Sequence, residues 1–95
     1  MDPRMYPGGV RVFEETLTPA EVATIVVAEQ TFTVAGLNVN DFVMVNGPVD
    51  TKAVGIAGVR VSAANTLAIR YVNPTAGALT PDAGVYVITA FKRKS

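Results

Sequence analysis

Three aspartates, Asp41, Asp50 and Asp82, carry the side chains of this sequence that are best suited to chemistry, and each lies in a turn-forming stretch. A carboxylate can act as a general base, and oxygen ligands suit Ca²⁺. Asp41 with the carbonyls of Asn38 and Asn40 would offer calcium such ligands, although this spacing matches no known calcium loop. The alternative is that each aspartate only caps the backbone of its own turn. We favour capping, and we predict no metal ion and no cofactor.

The commonest catalytic residue types are missing from the composition. The chain has no histidine and no cysteine, so neither a Ser-His pair nor a thiolate or imidazole metal site can be built. No pattern brings two carboxylates together at a pocket, as glycoside hydrolysis would require. We therefore predict that the protein is not an enzyme and takes no small-molecule substrate.

Aromatic and basic side chains are the candidates for binding a partner. Tyr71 and Tyr86 could stack on sugars or bases, but tyrosine on a strand is more often half-buried packing. We expect Arg60 and Arg70 to lie across from each other on a polar face, where they either contact an acidic partner or keep that face soluble. The basic run at residues 92–94 is either a solvated terminus or an anchor on an acidic surface. Eight basic residues balance eight acidic ones, which argues against nucleic-acid binding because such binding depends on neutralising phosphates.

The elements that would position these residues are predicted to be strands. The chain has 16 valines and 10 threonines, whose branched Cβ atoms favour strands over helices. No window shows a sustained helical period, and at most one helical turn is expected after Thr18. Seven short strands are predicted, at residues 10–18, 22–28, 31–34, 42–45, 54–62, 66–72 and 85–91, with a bend or bulge at Glu29 and Gln30. This pattern is typical of an all-β fold, namely a small antiparallel β-sandwich or jelly-roll-like barrel.

Glycine and asparagine mark the turns between these strands. Gly36 permits positive φ, and Gly55 and Gly58 indicate a bulge or a close approach of another backbone segment. A hairpin turn is expected at residues 63–66, with Asn65 in the left-handed region. Five residues of this hairpin are predicted to share its inward face: Val59, Val61, Leu67, Ile69 and Tyr71.

The first 20 residues differ from the rest, because prolines and glycines interrupt them. We interpret residues 1–20 as an N-terminal arm and edge strand, and residues 21–95 as the β-sandwich domain. Within the first part, residues 1–9 are expected to form an extended arm and residues 10–18 an edge strand or a strand donated to a neighbour. The alternative is a frayed terminus, as chain ends usually are.

The chain is more apolar than a small monomer can bury. Hydrophobic residues make up 49% of it and charged residues only 17%, against about 25% charged in a typical globular domain. A domain of this size has a thin core, so we expect part of the apolar surface to be covered by other copies or by a permanent partner. The residues that we expect to contact a partner are Met5, Tyr6, Val10, Arg11, Val12, Phe13, Arg60, Arg70, Lys92 and Arg93.

Targeting signals are not visible in the sequence. No apolar core follows the start Met-Asp-Pro-Arg, and no apolar run approaches the roughly 20 residues of a membrane span. We therefore expect a soluble protein that is made in the cytoplasm and does not bind a membrane.

Five runs in the body of the chain form a recognisable pattern. They are Glu-Gln-Thr-Phe-Thr-Val-Ala-Gly-Leu at 29–37, Asn-Asp-Phe-Val-Met-Val-Asn at 40–46, Gly-Val-Arg-Val-Ser-Ala-Ala-Asn-Thr-Leu-Ala-Ile at 58–69, Asn-Pro-Thr-Ala-Gly at 73–77 and Pro-Asp-Ala-Gly-Val-Tyr at 81–86. With these runs, residues 22–91 resemble a group of small tailed-bacteriophage proteins that are encoded near the major capsid protein and taken to be head decoration or cement proteins.

The resemblance implies a structural role in the virion. It implies a jelly-roll-like sandwich that forms homo-oligomers, with a trimer favoured over a dimer. Such a protein would sit on the outside of the capsid, bind the major capsid protein and bridge neighbouring capsid subunits. Two other classes stay open: a carbohydrate- or receptor-binding module of a phage fibre or tail, and a ring-forming tail or neck component.

Overall fold

The computed structural model describes residues 10–48 and 53–92, and within these ranges the chain is all-β with no helix. The all-β prediction is thus confirmed, and the helical turn considered after Thr18 does not form. Six strands are present: β1 (Val10–Leu17), β2 (Val26–Thr33), β3 (Asp41–Asn46), β4 (Gly55–Ala63), β5 (Thr66–Asn73) and β6 (Gly84–Lys92).

The strands form two antiparallel sheets of three strands each. One sheet has the order β1-β6-β3, and the other has the order β2-β5-β4. β1 is therefore an edge strand of its sheet, and it pairs along its whole length with β6. The arm expected at residues 1–9 lies outside the described residues.

The described residues form six strands rather than the seven predicted. The strands predicted at 22–28 and 31–34 are one continuous strand, β2. Glu29 and Gln30 do not bend the chain; they stay in the β2 ladder opposite Arg70 and Ile69. Both side chains find partners while the chain stays extended. Glu29 binds arginines on the outer face. The Gln30 amide accepts a hydrogen bond from the N–H of Ala20 and donates one to its carbonyl. The predicted strand at 22–28 is shortened instead, because the chain turns at Thr24 and Ile25 before β2 begins.

One hydrophobic core fills the space between the two sheets. Its centre is contributed by the two central strands, with Leu67, Ile69 and Tyr71 from β5 and with Tyr86, Ile88 and Ala90 from β6. Val22, Val34, Leu37 and Val54 close its ends and are also buried. The inward face predicted for the β4–β5 hairpin is confirmed, since its residues are either buried or packed against this core.

The predicted turn residues adopt the expected backbone conformations. Asn65 has a φ of 60° and Gly36 a φ of 101°. A Cβ at Gly36 would lie 3.0 Å from the ring of Phe13, so both the backbone and the space require glycine there. The β4–β5 register shifts between Ile56 and Gly58, which is the bulge predicted at Gly58.

The assigned core predicts that replacing a buried aliphatic residue by alanine lowers the free energy of unfolding much more than replacing an exposed one. Ile69 is fully buried in β5, and we expect Ile69→Ala to lower the free energy of unfolding by about 2–5 kcal/mol, through lost burial and a residual cavity. Val39 is mostly exposed in a turn, so Val39→Ala serves as the control, with an expected change within about 0.5 kcal/mol. Urea denaturation measures both, and equal effects would contradict the assigned core.

Candidate interaction surfaces

The outer side of the β1-β6-β3 sheet carries a cluster of exposed apolar side chains, which we call the apolar face. It comprises Val10 and Val12 of β1, Phe42 and Met44 of β3, and Val85 of β6, each 49–64% exposed. Side chains alternate along a strand, so the intervening residues of the same strands point into the core. Phe13, Val43, Val45 and Ile88 are examples of these inward residues. Both sides of this sheet are thus apolar, and within residues 10–48 and 53–92 only the inner side is covered by other parts of the chain.

The register arranges the apolar face in rows across the three strands. Val10 and Phe42 lie on either side of Phe91. In the next row Val12 and Met44 flank Thr89. The third row is more polar, with Glu14 and Asn46 on either side of Val87. The most apolar end of the face is therefore the end where β1 and β3 begin.

The outer side of the β2-β5-β4 sheet carries charges instead. Arg60 donates hydrogen bonds of 3.1 and 2.9 Å to the Glu29 carboxylate, and the Arg70 guanidinium lies 3.8 Å from it. The expectation that the two arginines face each other is corrected by the register, because Arg60 pairs with Ala68 and Arg70 pairs with Gly58. They converge because Glu29 lies beside Arg70 on β2. We call these three residues the charged cluster; its net charge is positive.

Hydrogen bonding sets the electrostatics of the charged cluster. The hydrogen bonds from Arg60 hold the pKa of Glu29 below its ordinary value of 4.5; partial burial opposes this effect, and the charges of Arg60 and Arg70 add to it. The same hydrogen bond to Glu29 raises the pKa of Arg60. The side chains of both arginines remain more than half exposed, so this cluster is accessible to a partner.

Arg11 forms a polar link on the inner side of the first sheet. One of its guanidinium nitrogens pairs with the buried Asp41 carboxylate, and another donates a 2.7 Å hydrogen bond to the carbonyl of Gly36. Gly36 in turn donates through its N–H to the Asn65 side chain, at 2.8 Å, in the β4–β5 turn. The guanidinium also lies 5.7 Å from the centre of the Phe13 ring. Arg11 thereby connects the two sheets at one end of the sandwich.

The aspartates are engaged within the fold. Asp41 accepts a 2.9 Å hydrogen bond from the N–H of Asn38 in addition to its Arg11 pair, so its carboxylate caps the turn that precedes β3. Asp82 offers its backbone carbonyl to the Tyr86 hydroxyl at 2.9 Å, and Asp50 lies outside the described residues. Among the described residues, no group of three acidic side chains is arranged to hold a metal ion.

The two tyrosines join the sheets at the interior. Both Tyr71 and Tyr86 are almost completely buried. The Tyr71 hydroxyl donates to the Tyr86 hydroxyl at 3.1 Å, which links the central strands of the two sheets through their tips. The packing interpretation of these residues therefore holds, and neither ring offers a face to a sugar or a base.

The structure distributes the expected contact residues unequally. Val10 and Val12 are exposed on the apolar face, whereas Arg11 and Phe13 of the same strand point inward. Arg60 and Arg70 lie together on the opposite sheet, and Lys92 is exposed at the end of β6. Three expected contact residues lie outside the described residues: Met5, Tyr6 and Arg93.

Sequence reasoning missed two surface features. Glu29 was assigned to a bend or bulge because Glu29 and Gln30 are consecutive polar residues that interrupt the period-two pattern, and their pairing with Arg70 and Ile69 of β5 is a long-range property. Ile25 has a φ of 51° and is 72% exposed. A β-branched residue is strongly disfavoured at positive φ, so no sequence signal could have placed isoleucine there.

Comparison of the chain with protein-family models, with curated proteins and with solved structures found no match in any of the three. In the part of the chain that the structure describes, no helix is long and apolar enough to cross a membrane.

The buried partner of Arg11 predicts a strong effect of its removal. Arg11→Met keeps most of the hydrocarbon stem but leaves the Asp41 carboxylate buried without a counter-charge, so we expect the free energy of unfolding to fall by about 3 kcal/mol. Arg70→Met is the control, because its exposed ion pair should contribute less than about 1 kcal/mol. Adding Asp41→Asn to Arg11→Met should recover part of the loss. Urea denaturation of the four proteins tests this, and equal losses for the two arginine substitutions would contradict a buried link.

The lowered pKa of Glu29 predicts a pH dependence. A carboxylate whose pKa is lower in the folded than in the unfolded state stabilises the fold above the unfolded pKa and loses that effect as pH falls through the folded pKa. Glu29→Gln should therefore be less stable than the wild type near about pH 6, and the difference should shrink as the pH falls below 4.5 and through the folded pKa. The difference should be small and should shrink in high salt. Thermal melts as the pH is lowered from about 6 measure it, with the exposed Glu21 changed to glutamine (Glu21→Gln) as control; a difference that grows toward acid pH would be the wrong sign.

Proposed function

We propose that the protein is a non-enzymatic structural component of a bacteriophage virion, a decoration or cement protein that binds the outer surface of the head and bridges neighbouring major capsid subunits. The observation that carries this proposal is the apolar face. Five large apolar side chains that are 49–64% exposed amount to roughly 500 Å², which is near the upper end for the largest patch on a monomer. Such a surface is typical of a protein that functions in contact with other chains.

The opposition of two different outer surfaces supports the bridging part of the proposal. A bridging protein needs at least two separate contact surfaces. The two sheets turn their outer sides away from each other, so the charged cluster stays open to a capsid subunit while the apolar face is covered by another chain. Arg60 and Arg70 are exposed enough to bind carboxylates of a capsid subunit while Glu29 holds them in place. Guanidinium groups suit this role because they bind carboxylates with two hydrogen bonds.

The strand pairing supports the jelly-roll-like part of the proposal. The first strand pairs with the sixth and the second pairs with the fifth. This nested pairing is that of a long hairpin rolled up on itself, which is how the chain of a jelly roll runs. The six described strands would make a smaller version than the usual eight. The resemblance of residues 22–91 to phage decoration proteins points the same way.

The stabilising mechanism follows from linkage. A ligand that binds the assembled shell, and not free subunits, lowers the free energy of the shell by its binding free energy at every occupied site. A copy that contacts two capsid subunits at once adds the effect of linked contacts, because the second contact forms at high effective concentration. A rigid sandwich without catalytic groups is sufficient for this function.

The direct test is electron microscopy of the phage that encodes the chain, with and without its gene. We expect density of this size at lattice positions on the head of the complete virion and none in the deletion. Heads that lack the protein should release their DNA at lower temperature, and adding purified protein should restore both density and stability. Density at the tail or neck instead would favour the ring-forming class and contradict the proposal.

A matched pair of variants tests the charged cluster in the same assay. Arg60→Ser combined with Arg70→Ser removes both exposed cations without touching the core, and we expect head occupancy to fall at least about 10-fold. Thr31→Ser with Thr33→Ser, on exposed positions of the same sheet, should leave occupancy unchanged. Retention of the purified protein on glycan columns without binding to heads would support the receptor-binding class and contradict the cement proposal.

A further inference from the structure

The apolar face has a chemistry that suits a second copy of the same chain. It is a three-stranded surface on which the outward residues of β1, β6 and β3 lie in rows. We propose that two copies pack these faces together about a two-fold axis that runs parallel to β6. The pairing needs neither capsid nor any other component, so it does not rest on the proposed function.

The available area is what a face-to-face dimer requires. The five exposed apolar residues supply roughly 500 Å² per copy, and a standard interface takes about 800 Å² from each partner. Other residues of the same face supply the remaining area. The central strand contributes three half-buried side chains, those of Phe91, Thr89 and Val87, and the polar end contributes three exposed ones, those of Glu14, Thr16 and Asn46. Homodimer interfaces are more apolar than other interfaces, and this composition agrees with that class.

Charge favours a self-pairing over a partner selected by electrostatics. Glu14 is the one charged residue on the apolar face among the described residues of β1, β6 and β3. A surface without complementary charge gains little from a charged partner. A second copy presents the same apolar surface, so the two surfaces can pack together without complementary charges. A three-fold assembly would instead need two different complementary patches on each copy, whereas a two-fold pairing uses the apolar face alone.

The register specifies how the two copies would align. Rotation about an axis parallel to β6 keeps each row opposite the same row and exchanges the two edge strands. β1 of one copy then lies over β3 of the other, so Val10 faces Phe42 and Val12 faces Met44 of the second copy. Glu14 faces Asn46 rather than another carboxylate. The alternative axis, across the strands, would set the apolar rows against the polar end of the face. The first arrangement is therefore the one that we propose.

The oligomeric state of the full chain tests the interface, measured by sedimentation equilibrium. We expect the wild type to be a dimer. Val12→Lys should raise its dissociation constant at least about 100-fold, because each lysine would be buried against Met44 of the second copy without a partner. Val39→Lys is the matched control: the two valines are 63% and 59% exposed, but Val39 lies in the turn before β3. This control should remain a dimer.

A charge-pair rescue tests the axis. Met44→Glu alone should weaken the dimer as Val12→Lys does. The double variant Val12→Lys with Met44→Glu, under the proposed axis, places the introduced ammonium of each copy against the introduced carboxylate of the other, so it should recover at least about 10-fold of the lost affinity. Circular dichroism and thermal melts of each variant establish that it is folded. A folded double variant without recovery would overturn the proposed axis.

The remaining outcomes decide whether the dimer interface exists and whether the proposed function holds with it. A monomeric or trimeric wild type would overturn the interface, as would a dimer that Val12→Lys and Val39→Lys weaken equally. A monomer whose binding to phage heads is lost in Val12→Lys would assign the apolar face to the capsid while leaving the proposed function intact. A dimer that responds as expected but binds no heads would sustain this inference and contradict the proposed function.

Discussion

Contact between the inner sides of β5 and β6 is the interaction on which the rest of the structure depends. Each is the central strand of its sheet, so each is hydrogen-bonded on both sides and faces the other across the core. The buried residues of these two strands meet there, and the Tyr71 and Tyr86 hydroxyls meet at 3.1 Å. Once these two strands are packed, the edge strands follow by antiparallel pairing. The side of every strand that remains outside is then determined as well, because side chains alternate.

The ends of the sandwich are held by polar groups rather than by further apolar packing. At one end the Arg11 guanidinium, the Asp41 carboxylate and the Asn65 side chain connect β1, β3 and the β4–β5 turn. At the other end the buried Asn73 side chain donates to the carbonyls of Val22 and Gly77. Such links are sensitive to geometry because a buried polar group without a partner is costly. They therefore favour one arrangement of the sheets, which an apolar layer alone would define less sharply.

The sequence was sufficient for the parts of the fold that local chemistry controls. Gly36 and Asn65 were predicted at positive φ because few other residues tolerate it, and the β4–β5 hairpin followed from its turn and its alternation. Period two could not tell which side of β3 is inside, since Phe42 and Met44 are as apolar as Val43 and Val45. That choice is made by the register with β6, which is a long-range property. The same holds for Arg11 and Glu29, whose partners, Asp41 and Arg60, are about 30 residues away in the chain. Ile25 could not be anticipated at all, because its φ contradicts the preference of its residue type.

The pairing of β1 with β6 affects how the protein folds during its synthesis. These strands are separated by nearly the whole described chain, and among the six described strands β6 is also the sole ladder partner of β3. During synthesis the first sheet cannot form until β6 has left the ribosome, so β1 and β3 wait as unpaired apolar segments while the second sheet is already complete in sequence. Folds with such distant pairings form slowly, and exposed strands are prone to wrong associations in the meantime. A cell that makes many copies at once would therefore need chaperones, or a rapid final closure by β6, to keep nascent chains from one another.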